Sequence, residues 1–109
     1  MARQNPLIKI SDIDGPDKWF DLECQVTSEV AVPVDSIAQK VWVADKTGAC
    51  ECVLWQKAAA AGVPKLKKGK SYRLSNVVSN EFRGTFSIAL VRTTTVEEIA
   101  DLGMDEELY

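Results

Sequence analysis

The sequence predicts an all-β domain: a closed Greek-key barrel of five short strands, one short helix between strands three and four, and a C-terminal helix. Three observations carry this expectation. Phe20, Leu22, Cys24 and Val26 alternate with Asp21, Glu23, Gln25 and Thr27, the period-two pattern of a half-buried strand. Lys40 to Trp55 reads as two further strands joined by a tight turn at Asp45-Lys46-Thr47-Gly48, with an Asp to bond the backbone ahead and a Gly that tolerates positive φ. The alanine-rich stretch Gln56 to Gly62 favours a short helix, which Gly62 and Pro64 stop.

In chain order, Met1 to Pro6 reads as a loose leader, and Ile8 to Ile13 as a short apolar segment lying against a barrel end. Asp14-Gly15-Pro16-Asp17 is a turn cluster. The first long strand runs from Trp19 to Val30, with Trp19 expected to pack at a barrel end, and Ala31 to Ala38 is a loop. In the hairpin, a four-residue turn sets Ala44 opposite Ala49, Trp42 opposite Glu51 and Lys40 opposite Val53. Alternation then puts Val41, Val43, Cys50, Cys52 and Leu54 on the core face. Lys40, Trp42, Glu51, Val53 and Trp55 share the outer face, where two large aromatics call for a flat ligand.

Beyond the helix, Lys65, Lys67, Lys68 and Lys70 form the densest positive run and lead into the fourth strand, where Tyr72 and Leu74 share a face. Asn80 to Gly84 is the expected turn into the fifth strand, Thr85 to Arg92, with Phe86, Ile88 and Leu90 inward. Thr94 and Thr95 followed by Glu97 and Glu98 resemble a helix start, with Val96, Ile99 and Leu102 on one face. The expected organisation is one domain over residues 1–102 and an acidic tail at 103–109.

Charge divides along the chain. Net charge is −3, yet all 13 Lys and Arg lie at or before Arg92. Ten acids up to Thr95 leave the body at +3, and six beyond it leave the end at −6. A mildly basic body with an acidic end is compatible with a polyanionic partner. The three cysteines are an odd number, all on inward faces, without histidine and without a C-x-x-C spacing. They read as buried free thiols in a reducing, intracellular setting (archaeal cytoplasm or eukaryotic nucleus), with no metal and no cofactor. No apolar run reaches membrane-spanning length and no signal peptide is apparent. With no histidine, no P-loop, no dinucleotide fingerprint and no activated nucleophile, the chain is not expected to be an enzyme.

Five strands with a helix between the third and fourth describe the OB-fold, whose face around strands two and three binds oligonucleotides or oligosaccharides. The sequence also resembles a family. IKISDI from Ile8, VADKTG from Val43, LW at Leu54, LKKGK from Leu66 and EFRG from Glu81 resemble the OB domains of replication protein A and the small single-OB single-stranded-DNA-binding proteins of archaea and eukaryotes. The resemblance covers about Ile8 to Leu90. It implies that Trp55 and Phe82 stack on bases, with Arg83 reaching phosphate. Where relatives often carry further aromatics late in the fourth and fifth strands, this chain has Val78 and Ala89. Trp42 is a third stacking candidate, and Lys40 and Arg73 are candidate backbone contacts. The expected function is binding of single-stranded nucleic acid, DNA by resemblance, in replication, repair or recombination. The alternatives are an OB subunit that joins a larger complex through its aromatic face, C-terminal helix or acidic tail, and an RNA- or tRNA-binding OB domain.

Overall fold

Asp45 closes the central hairpin as its chemistry dictates. The computed structural model describes residues 5–32, 34–82, 84–100 and 102, and for Phe82 its backbone alone. Strands β3 (Ile37–Asp45) and β4 (Gly48–Trp55) pair antiparallel in the expected register, Ala44 with Ala49, Trp42 with Glu51 and Lys40 with Val53. Asp45 Oδ1 accepts from the N–H groups of Thr47 at 2.7 Å and Gly48 at 3.2 Å, and Oδ2 accepts from Ile10 N–H at 2.8 Å. One carboxylate thus fixes the turn and ties it to the N-terminal segment.

That segment contributes a two-residue strand, β1 (Leu7–Ile8), and a 3-10 turn at Ile10–Asp12, which bury Ile10 and Ile13 under the hairpin end of the barrel. β2 (Trp19–Val30) and β5 (Ser71–Phe82) are twelve residues each and form the frame. β6 (Thr85–Leu90) and β7 (Thr95–Ile99) complete the sheet, whose order is β1-β2-β3-β4-β6-β5-β7, with β2 pairing β5 to close it. β2 pairs β5 through Trp19–Gln25 and β3 through Gln25–Val30, with bulges that let one strand serve two neighbours.

The closed barrel encloses Phe20, Leu22, Cys24, Val26, Val41, Val43, Cys50, Cys52, Leu54, Leu74, Val77, Ile88 and Leu90. Nearly all lie at the inward parity read from the sequence. The helix α1 (Gln56–Ala60) and the segment behind it plug the other end with Ala58, Val63 and Leu66. There the buried Gln39 amide donates to Leu66 O and accepts from Leu66 N–H, both at 2.7 Å, substituting for a strand pairing.

Three expectations are corrected. The C-terminal segment is a strand, not a helix: β7 runs antiparallel to β5, with Leu74 opposite Val96 and Arg73 opposite Glu97. Thr94 caps no helix; its hydroxyl accepts from Val91 N–H at 2.8 Å and donates to Asn76 O at 2.8 Å. The cause lies in β5. Asn76 adopts φ 66°, a left-handed conformation asparagine tolerates, at the bend where β6 pairing stops, so that Ser71–Ser75, paired to β2 on one edge, have no β6 neighbour on the other. A five-residue helix is marginal alone, whereas pairing Thr95–Ile99 satisfies that bare edge. The expected turn at Asn80–Gly84 is also shorter, because β5 continues through Phe82, which pairs Thr85. Finally, Trp19 is not packed away; it is 45% exposed.

Candidate nucleic-acid interface

Outward residues of neighbouring strands line up in transverse rows. One row runs Lys40, Val53, Ala89, Val78 and Trp19 across β3, β4, β6, β5 and β2. A second runs Trp42, Glu51, Ser87 and Asn80. Trp55, opposite Ile37, lies beyond the first row at the α1 end. Trp42 and Trp55 are 36% and 37% exposed on one outer face, with an offset along β4 of about 13 Å at ~3.3 Å per residue. Indoles gain from burial, so two left a third open give this face flat apolar surface.

Each tryptophan borders a groove. Trp42 lines one of about 350 Å³ with Thr27, Ser28 and Ala49. Trp55 lines another of about 370 Å³, shared with Trp19, Lys57, Ala58, Val91, Arg92 and Thr93. A neighbouring depression of about 290 Å³ between Lys57, Ala60, Ala61 and Arg92 continues it past the helix. Local sequence pattern does not single out Trp19, Lys57 and Arg92 as site residues. Parity was the available signal for Trp19, which shares the side of Asp21 rather than that of Phe20.

The expected site residues do not form one cluster. Phe82 pairs Thr85, two residues before the Ser87 that adjoins Glu51, so its backbone lies toward the Trp42 end rather than beside Trp55. Its side chain and Arg83 lie outside the described residues. Lys40 is engaged, its Nζ 3.3 Å from Glu51, as is Arg73, 3.7 Å from Asp21 and 3.8 Å from Glu23. Arg73 also stands opposite Glu97. Such surface pairs are worth roughly 0–1 kcal/mol, so a phosphate can exchange for them. Lys70 pairs Glu98 at 3.5 Å, while Lys57, Lys65, Lys67, Lys68 and Arg92 have no carboxylate within ion-pair range among the described residues.

Cys24, Cys50 and Cys52 are buried free thiols, and the described residues hold no group of side chains suited to a metal. Burial raises all three, Cys50 to about 12 from an ordinary 9.0, with Asp45 and Glu51 adding to it. A thiol protonated more tightly when folded stabilises fully below the unfolded value, and that stability is lost as pH rises toward the folded one. Stability is therefore expected to fall above pH ~9, by up to about 1.4 kcal/mol per pH unit for each thiol. Urea titrations at pH 8 and pH 10 on wild type and Cys50→Ala check this; equal losses in both would remove Cys50 as a cause.

No family model matches the chain, and no curated protein matches it significantly. Among solved structures, an OB domain from Methanosarcina mazei superposes with a TM-score of 0.81 at 26% identity, covering 94% of each chain. The chain has the OB-fold. Two further structures are similar to this OB-fold at lower identity. Schizosaccharomyces pombe Pot1pC bound to single-stranded DNA has a TM-score of 0.68 at 12% identity, covering 94% of this chain and 93% of that one. A murine DNA-binding protein bound to double-stranded DNA has a TM-score of 0.61 at 16% identity; the match covers 90% of this chain but 49% of that one. No helix among the described residues is long and apolar enough to cross a membrane.

Proposed function

We propose that this OB domain is a non-enzymatic module that binds single-stranded nucleic acid, with single-stranded DNA as its ligand, in a replication, repair or recombination setting. The observation that carries the reading is the pair Trp42 and Trp55, each about a third exposed on the outer β3–β4 face. This is the face on which OB-folds take oligonucleotides. Stacking needs unpaired bases, because in a duplex both faces of a base are covered by its neighbours. The DNA-bound neighbours support a nucleic-acid ligand, and the motif resemblance to replication protein A supports single strands in particular.

Electrostatics should be secondary. With Lys40, Arg73 and Lys70 paired to carboxylates, the cations without an ion pair among the described residues include Lys57, Arg92 and the run Lys65, Lys67 and Lys68. About four phosphate contacts give a slope of log K against log salt near −3, at roughly −0.7 per contact for single strands. Tryptophan fluorescence titrated with DNA and RNA 12-mers at several salt concentrations tests the reading. Quenching with that slope is expected. No quenching by either strand would sink it, and stronger quenching by RNA would reassign the ligand.

One observation favours a second reading, a protein-binding subunit. At the hairpin end, Leu7, Ile8, Lys46 and Leu102 border a groove of about 460 Å³, and Leu7 is 50% exposed. A scaffold using that end would ignore oligonucleotides.

A further inference from the structure

We propose that the groove between Trp19 and Trp55 is a single-nucleotide pocket, taking one base against the two indoles and its phosphate at Lys57 and Arg92. The proposal rests on the nucleic-acid reading above and assigns it an anchor point. Trp19 belongs to β2 and Trp55 to β4, with β5 and β6 between them, yet both line one groove. Trp19 is 45% exposed and Trp55 37%, so neither indole is spent on the core. Ala58 and Val91 complete an apolar lining.

The charge arrangement narrows the ligand. Lys57 and Arg92 border both this groove and the adjoining depression, and no carboxylate lines either among the described residues. Elsewhere Lys40, Lys70 and Arg73 each stand against an acid. A flat apolar slot joined to two available cations suits a ligand that is a π-system at one end and an anion at the other. A nucleotide within a single strand has that chemistry. The volume of about 370 Å³ suits one nucleotide rather than a stacked run. The Trp42 groove is different: it is lined by Thr27, Ser28 and Ala49, with no cation among its described lining residues.

The test uses full-length protein and a fluorescein-labelled deoxythymidine 12-mer, followed by anisotropy, with circular dichroism on each variant. Trp19→Ala is expected to weaken binding about five-fold or more, and Trp19→Phe to retain most of it. Lys57→Gln with Arg92→Gln should flatten the salt slope by about 1.4, two contacts at ~0.7 each. If folded Trp19→Ala binds as wild type while Trp55→Ala is weakened, the pocket is refuted and the nucleic-acid reading stands. Wild type that binds no 12-mer refutes both. Should Trp19→Ala misfold, the double charge variant decides: an unchanged salt slope overturns the pocket.

Discussion

Trp55→Ala is expected to weaken single-stranded DNA binding by about 5- to 150-fold, the equivalent of roughly 1–3 kcal/mol for one lost base-stacking partner. The fold should register the change far less than a core truncation, because the indole is 37% exposed at the end of β4. Its neighbour Leu54 is 1% exposed and faces the barrel interior. Leu54→Ala should do the reverse, costing about 2–5 kcal/mol of stability through lost burial and a residual cavity, with binding by the folded fraction kept. Chemical denaturation and a binding titration on both variants separate the two roles. Trp55→Ala that unfolds would place the indole in the core, and one that folds and binds normally would free the aromatic face for another partner.

The second large effect concerns β7. Ending the chain after Thr94 removes this strand, bares the β5 edge at Ser71–Ser75 and uncovers the core flank that Val96 shields. Lost burial of Val96 and Ile99 and the broken ladder should together cost on the order of 3–5 kcal/mol, a large share of the roughly 5–15 that hold a domain. Ending it after Leu102 instead removes Asp105, Glu106 and Glu107 and leaves β7 whole. That truncation should keep the melting temperature within a few degrees and tighten DNA binding at low salt, if the acidic residues repel the ligand. Equal melting temperatures for both truncations would show that β7 contributes no stability.

The β7 segment is where local pattern and tertiary structure diverge. Thr95 to Ile99 carries a helix-like spacing of Val96 and Ile99 and acids in the right place for a helix start. β-branched Thr95, Val96 and Ile99 suit a strand as well, and five residues are too few for period to decide. The decision belonged to Asn76, whose left-handed turn in another strand created a bare edge for this segment to fill. Exposure of Trp19 departs from the sequence expectation for a related reason. Its parity was correct in the sequence, but whether an outward residue at a strand start is covered depends on loops no local pattern specifies.

What the sequence determined by itself was everything set by neighbours along the chain. Alternation assigned the inward face of β2, β3, β4 and β6, and turn chemistry at Asp45–Gly48 fixed the hairpin register to the residue. That register also put Trp42 and Trp55 on one outer face. The tertiary structure alone decided what depends on strands distant in sequence. It engaged Lys40 and Arg73 with carboxylates and set Phe82 toward the Trp42 end rather than the Trp55 end. It also brought Trp19, Lys57 and Arg92 to the groove beside Trp55. Side-chain parity is a local property of the backbone, whereas proximity across a closed barrel follows from strand order and bulges, which no single segment encodes.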